Sequence, residues 1–168
     1  ALGQDFHNRG ARCDEQLLLL KSLLNQEKVS FSGRWDTIEE SGLNPLPIQS
    51  DIPIWYGGAS MPGERVINRI ARHADGWFVL CNPEDYDNIR KKIDDAAIKE
   101  ERDPNSIQTE AGVAVVGPRE SEWQSRVISW RAMGIDYICL RTLGGDLTPQ
   151  QHLDKLAEVV PEALQIIS

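Results

Sequence analysis

The sequence predicts an α/β fold with a parallel sheet, formed by four strand–helix units over residues 52–168. Short apolar runs alternate with amphipathic helical patterns, and Gly or Pro residues separate them. The apolar runs are continuous, which is typical of strands buried on both faces of a parallel sheet. A complete (β/α)8 barrel needs about 250 residues. Four units therefore amount to half of such a barrel, and we expect a single domain, a partial barrel, over residues 1–168.

The stretch before the repeating units predicts a helix, a short extended piece and a loop. Residues 11–25 carry leucines at helical spacing, with acidic residues in the first turn. Residues 29–33 favour an extended piece, so that residues 1–33 hold a helix and this piece. Residues 34–51 are polar and contain turn formers such as Asn44-Pro45-Leu46-Pro47. We expect an excursion loop there rather than a core element.

The four units follow in regular order. Strands are predicted at residues 52–56, 76–80, 109–116 and 137–142. Helices are predicted at residues 63–73, 82–101, 120–133 and 148–166. Pro161 lies inside the last helical pattern and is expected to kink or restart that helix. The alternative is a small open doubly wound sheet, which would need helices on both faces and usually a GxGxxG first turn, and the sequence has no such motif.

The composition excludes several classes of function. A net charge of −8 argues against a nucleic-acid partner, and no apolar run approaches the roughly 20 residues that a membrane helix needs. The cysteines, Cys13, Cys81 and Cys139, are odd in number and far apart. Free thiols in the cytoplasm fit best, with Cys81 and Cys139 buried near strand ends. The isolated histidines show no metal-ligand spacing, so we predict no metal site.

The loop after the first predicted strand has the features of an anion site. Gly57 and Gly58 would let a phosphate approach the backbone N–H groups, Ser60 adds a hydroxyl donor, and a helix begins soon after. Such loops lie at the carboxyl ends of barrel strands, where these folds bind ligands. Glu64 in the first helical turn would compete with a phosphate. A tight turn without a ligand is the simpler alternative.

Two other segments have plain structural interpretations. Asp75-Gly76-Trp77 reads, on residue types alone, as a turn followed by a core tryptophan. Leu143-Gly144-Gly145 reads as a flexible loop before a helix capped by Thr148. The second segment would favour a phosphosugar-type barrel if it held phosphate, since phosphate often binds after strands seven and eight of such barrels. That hypothesis leaves Ala74-Asp75-Gly76-Trp77 without explanation.

An ordered set of short motifs resembles the luciferase-like monooxygenases. The motifs are Arg9-Gly10-Ala11-Arg12 with Asp14-Glu15, Pro45-Leu46-Pro47, Ile52-Pro53-Ile54-Trp55 with Gly57-Gly58, residues 69–77, and Glu158-Val159-Val160-Pro161. Each motif is weak alone, whereas their order, with Ala-Asp-Gly-Trp after the Gly-Gly loop, is more specific. This superfamily includes bacterial luciferase, alkanesulfonate monooxygenases and coenzyme F420-dependent dehydrogenases and reductases.

The resemblance implies an oxidoreductase or monooxygenase barrel that holds FMN or F420 at the carboxyl ends of its strands. The family's phosphate loop after strand five corresponds to Gly57, Gly58, Ala59 and Ser60. Its cofactor-proximal start of strand six corresponds, less directly, to Gly76 and Trp77. Arg9, Asp14 and Glu15 belong to the entry of helix four and are expected to be structural. FMN is slightly favoured, because the acidic tail of F420 would prefer a basic rim.

The resemblance also implies that this chain is the C-terminal half of the barrel, strands five to eight. Strands one to four supply the bed of the isoalloxazine ring and most residues near the reacting carbon, so we name no catalytic residue. We expect the missing N-terminal half, or a second copy in a homodimer, to complete the barrel around a small organic substrate. The alternative is a non-catalytic half barrel that binds no cofactor by itself.

Overall fold

The computed structural model describes residue 3 and residues 5–167, which form two compact units, Ala1–Ile54 and Trp55–Ser168. The first unit contains a short 3-10 helix (Phe6–Asn8), helix α1 (Arg9–Asn25) and the strands β1 (Val29–Ser32) and β2 (Thr37–Ser41). The two strands form an antiparallel pair in which Phe31 lies opposite Ile38. Residues 37–41 were expected within an excursion loop, and the structure instead makes them a strand. The organisation of residues 1–168 as one domain stays a prediction.

The second unit contains the four strand–helix units. They are β3 (Trp55–Tyr56), α2 (Glu64–His73), β4 (Gly76–Val79), α3 (Pro83–Lys99), β5 (Gln108–Ala114), α4 (Trp123–Ala132), β6 (Tyr137–Arg141) and α5 (Pro149–Ile167), with short 3-10 helices at Pro104–Ser106 and Glu120–Glu122. The strands pair in chain order, β3-β4-β5-β6, and every pair is parallel. The predicted α/β fold with a parallel sheet is therefore confirmed.

Two elements that contain or adjoin a proline differ from the prediction. Strand β3 has two residues instead of the five expected over residues 52–56, and Pro53, which has no N–H to donate, lies in the part that is not strand. Helix α5 runs through Pro161 without restarting. Val159 and Ala163 on either side are buried, so packing against the core holds this part of the helix in place.

The sheet has one buried and one open face. In β5 the side chains of Thr109, Ala111 and Val113 are buried and the alternate positions are only partly covered or exposed. Helices α2 to α5 supply the rest of the core on the buried side. The second side, here called the open face, carries Trp55, Phe78, Glu110, Gly112, Tyr137, Cys139 and Arg141. Helices on one face only are the arrangement of a barrel, not of a doubly wound sheet.

Cys139 was expected to be buried and is exposed, whereas Cys81 is buried as expected. The physical reason is the two-residue period of β6, whose positions alternate between exposed and half-buried. Cys139 falls on the open face with Tyr137 and Arg141. Ile138 and Leu140 pack instead against the helix-side core.

Candidate functional site

The loop between β3 and α2 lies at the carboxyl edge of the parallel sheet. Gly57, Ala59 and Ser60 are exposed and Gly58 is half-buried. Helix α2 begins at Glu64, after the N-cap residue Gly63, whose backbone is extended and which offers no side-chain cap. The free N–H groups of a first helical turn attract anions. The Glu64 carboxylate opposes that attraction.

The glycines of this loop have open space beside their backbone. A Cβ added to Gly57 would come no closer than 3.9 Å to the Phe78 ring, and one added to Gly58 would lie 3.6 Å from Val66. A Cβ at Gly63 would meet nothing within 4 Å, and none of the three has a positive φ. The described residues therefore give no internal reason for glycine here. Such open backbone lets a group from outside approach the loop closely.

Gly76 and Trp77 lie at the other end of their strand. Gly76 opposes Trp55 in the register, and a Cβ at Gly76 would overlap the Trp55 indole. Trp77 is 2% exposed and stacks on Tyr86 within the helix-side core, with ring centroids 6.0 Å apart. The structure thus separates the six residues assigned from the sequence: four lie in the carboxyl-edge loop, and two lie at the opposite end of β4. Their cofactor-binding roles stay predictions.

A cavity of about 410 Å³ lies between the loops that follow β5 and β6. Its charged lining consists of Glu120, Asp154, Lys155 and Glu158. Lys155 binds Glu120 at 2.8 Å and Glu158 at 3.1 Å, and these hydrogen bonds hold the pKa of its ammonium above the ordinary value. Its charge is thus already engaged, and the surplus of carboxylates disfavours a phosphate.

The glycines beside this cavity have internal explanations. Gly117 and Gly144 have φ values of +81° and +87°, which L-residues rarely adopt. A Cβ at Gly145 would lie 3.0 Å from Val116. The hypothesis of a phosphosugar-type barrel therefore loses the observation that would have favoured it.

The sequence reasoning missed the polar residues of the open face, Glu110, Cys139 and Arg141. The period-two pattern of β5 and β6 could have shown that they share a face. It could not show which face the helices cover. Among residue 3 and residues 5–167, no group of three or more His, Cys, Asp or Glu side chains could hold a metal ion, and no helix is long and apolar enough to cross a membrane.

Comparison with known proteins agrees with this architecture. The family model described as luciferase-like monooxygenase matches residues 1–159. The chain belongs to the luciferase-like monooxygenase family. It is 29% identical over 143 residues to a phthiodiolone/phenolphthiodiolone dimycocerosates ketoreductase of Mycobacterium kansasii, which covers 79% of this chain and 38% of that protein. It is 25% identical over 125 residues to an FMNH2-dependent dimethylsulfone monooxygenase of Pseudomonas putida, covering 74% of this chain and 33% of that protein.

Solved structures of luciferase-like enzymes share the fold. An F420-dependent secondary alcohol dehydrogenase, solved with an F420-acetone adduct, superposes with a TM-score of 0.71 at 15% identity, covering 98% of this chain and 64% of that chain. A long-chain alkane monooxygenase superposes with a TM-score of 0.59 at 17% identity, covering 95% and 50%. This luciferase-like chain thus spans about a third of its curated relatives and half to two thirds of these structures. It has the fold of half a barrel.

Proposed function

We propose that this chain is the strand five-to-eight half of a flavin- or deazaflavin-dependent luciferase-like oxidoreductase, and that its β3–α2 loop binds the cofactor phosphate. The observation that carries the proposal is the open backbone at Gly57, Gly58 and Gly63, at the edge where barrels bind ligands. Ala59 and the Ser60 hydroxyl complete the loop. Trp77 would act indirectly, by packing in the helix-side core that supports the sheet, since its ring is buried there.

The relatives point to a flavin or deazaflavin cofactor, and the charge of this chain favours one of the two. The relatives include FMNH2-dependent and F420-dependent enzymes by name. The chain carries a net charge of −8, and the acidic tail of F420 would meet repulsion that FMN largely avoids. We therefore favour FMN.

The bound cofactor would supply the redox chemistry, transfer of a hydride or activation of O2 on a small organic substrate. The residues of this chain have a different task. The β3–α2 loop anchors the phosphate through backbone N–H groups, and the open face forms one wall of the cavity in which the substrate lies. Anchoring the cofactor's tail fixes the position of its reactive ring relative to that wall, which is a positioning contribution to the rate.

We further propose that the open face is covered by the half of the barrel that forms strands one to four. Strands β3 and β6 are the edges of the four-stranded sheet, and the open face carries the exposed aromatic rings of Phe78 and Tyr137. Unpaired edges and apolar faces are unfavourable in water. This chain covers 64% and 50% of two solved relatives, so each of them has further length in which a covering half can lie. A second copy of this chain is the competing occupant. A cytoplasmic location remains a prediction from the cysteines.

The phosphate loop can be tested with ligands that differ only in the phosphate. The purified chain is titrated with FMN and with riboflavin, and flavin absorbance and fluorescence are recorded. We expect FMN to bind more tightly, with shifts in the backbone amide NMR signals of Gly57 to Ser60. The variant G57A/G58A should fold normally, since both new Cβ atoms have room, and it should lose the preference for FMN.

The comparison needs two further readouts. F420 and its phosphate-free deazaflavin are titrated in the same way, so that a preference for the deazaflavin pair would overturn the choice of FMN and keep the phosphate loop. Equal affinity for FMN and riboflavin, with no amide shift in the loop, would contradict the proposed site. The mass of the binding species shows whether a second copy completes the barrel.

A further inference from the structure

Arg141 lies on the open face, and its side chain fills space left by a glycine of the neighbouring strand. It is the last residue of β6 and pairs with Ala114 at the carboxyl end of β5. Its guanidinium lies across β5, where a Cβ on Gly112 would come within 2.5 Å of its Cζ and Nε atoms. Any larger residue at position 112 would displace the guanidinium. The bare backbone of Gly112 therefore leaves room for the guanidinium to lie over β5.

The hydrogen-bonding capacity of this guanidinium is mostly unused. Its Nη2 donates to the Gly112 carbonyl at 3.3 Å, which leaves four of its five N–H donors available. Within residue 3 and residues 5–167, no carboxylate forms an ion pair with Arg141. Glu110 lies on the same face, two residues before Gly112, and also makes no ion pair there. A guanidinium without a carboxylate partner is suited to an anionic ligand.

A second arginine lies near this end of the sheet, on the helix side. Arg126, in α4, forms no hydrogen bond or ion pair among the described residues. Burial lowers the pKa of its guanidinium, and the charges of Arg119 and Arg141 lower it further, while Glu122 and Glu84 act in the opposite direction. Arg119 is engaged with Glu122 at 2.7 Å. Carboxylates also lie at this end, at Glu120, Asp154 and Glu158 around Lys155. Arg141 is therefore distinguished by its lack of an ion pair among the described residues, not by a positive local charge.

We infer that Arg141, held by Gly112, is the anion-binding residue of the substrate cavity, so that the substrate is a small organic molecule with a carboxylate, sulfonate or phosphate group. The inference rests on the proposed function, because the open face becomes a cavity wall only in the completed barrel. The site differs from the phosphate loop: the loop follows β3, and Arg141 ends β6, at the opposite edge of the sheet. The planar guanidinium gives two parallel hydrogen bonds to such a group.

The test uses methanesulfonate as the anion, because phosphate would also bind the β3–α2 loop. The 168-residue chain is labelled with ¹⁵N-arginine, and the side-chain Nε–H signals are followed by NMR during the titration. We expect a saturable shift of the Arg141 signal, identified by its absence in R141K. The R141Q variant should weaken methanesulfonate binding about tenfold or more. R141K should bind with intermediate affinity, since it keeps the positive charge and loses the pair of parallel hydrogen bonds that a guanidinium gives.

Matched variants separate this inference from the phosphate loop. R72Q removes another exposed arginine, one paired with Glu100 on the outer helices, and should leave methanesulfonate binding unchanged. R141Q should keep the preference for FMN over riboflavin, and G57A/G58A should keep methanesulfonate binding. An Arg141 signal that does not shift, or equal binding by R141Q, would overturn the inference even if FMN binds. Loss of the FMN preference with an intact Arg141 shift would overturn the phosphate loop alone.

Discussion

Glu15 joins helix α1 to the turn between β1 and β2. Its carboxylate accepts hydrogen bonds from the backbone N–H groups of Arg34 at 2.7 Å, Trp35 at 2.9 Å and Asp36 at 3.2 Å. A Cβ on Gly33 would overlap the same carboxylate, so glycine is required there. Burial raises the pKa of Glu15, but the hydrogen bonds from Trp35, Arg34 and Asp36 outweigh it, and the pKa lies below the ordinary value. Glu15 thus has a structural role, as expected from the sequence, because its carboxylate holds the β1–β2 turn against α1.

We predict a pH-dependent loss of stability from Glu15. A carboxyl group whose pKa is lower in the folded than in the unfolded state contributes its full stability above the unfolded pKa, about 4.3. That contribution decreases as the pH falls through the folded pKa. E15Q should therefore be less stable than the parent chain at pH 7, and the difference should shrink below about pH 4. Urea unfolding across this range measures it.

Glu39 supplies the control for this prediction. It is exposed on β2, and among the described residues its carboxylate makes no hydrogen bond or ion pair. E39Q should follow the parent chain at every pH. A difference between E15Q and the parent that stayed constant into acid would show that the carboxylate charge of Glu15 is not responsible.

The two kinds of glycine in the sheet region predict opposite responses to alanine. G76A forces a methyl group into the Trp55 indole, and overpacking of this kind costs about 1–3 kcal/mol. G58A places its methyl group 3.6 Å from Val66 and should change the free energy of unfolding by less than about 0.5 kcal/mol. Denaturant unfolding, with Trp55 fluorescence as a second readout, distinguishes them. Equal destabilisation by both changes would disprove the assignment of open space at Gly58.

At the scale of elements, one carboxylate links the beginnings of β5 and β6. Asp136 Oδ2 accepts from the Thr109 backbone N–H at 2.7 Å and from its hydroxyl at 2.8 Å. Thr109 is 1% exposed and is the buried polar residue of the sheet. The Thr109 hydroxyl also interacts with Tyr86, whose phenol has a raised pKa chiefly because of burial. The link therefore connects two strands and α3.

Removal of this link should destabilise the second unit. In D136A the Thr109 hydroxyl and N–H lose their acceptor in a buried place, which costs about 1–3 kcal/mol. D87A removes an exposed carboxylate on α3 and should have little effect. Thermal and urea unfolding of the two variants give the comparison. If D136A is as stable as D87A, water replaces the carboxylate and the link carries no net energy.

At the scale of the whole molecule, the open face governs how the chain behaves in solution. Trp55 bridges the sheet, with its ring 5.3 Å from Phe78 and 5.7 Å from Tyr137. Such a patch is too apolar to remain exposed without consequence. In the absence of a covering half, we expect the chain to self-associate through this face.

The double variant F78Q/Y137Q should reduce that association. Both side chains are exposed, at 36% and 49%, so the core stays intact. I128Q is the control, since Ile128 is 55% exposed and lies on α4, away from the open face. Sedimentation velocity over a range of concentrations is the measurement. Association that persists in F78Q/Y137Q and disappears in I128Q would assign the interface to the helical side.

Site residues could be predicted from the sequence where they adjoin a strand that the sequence itself indicates. The loop Gly57 to Ser60 was located because apolar strands and the Gly-Gly pair are local signals. Trp77 was interpreted from residue types as a core tryptophan, and the structure buries it there. Cys139 could not be placed, because a two-residue period shows which side chains share a face and leaves open which face the helices cover. Arg141 was overlooked for the same reason, since its position depends on Gly112 in a different strand.

The sequence by itself determined the order of elements, the parallel character of the sheet and the membership of a luciferase-like family. These are consequences of local periodicity, Gly and Pro positions and short motifs, which act within each segment. Only the tertiary structure decided that residues 37–41 pair as a strand, that α5 continues through Pro161 and which residues meet on the open face. Those outcomes depend on contacts between segments distant in the chain, and packing free energy there outweighs local preference.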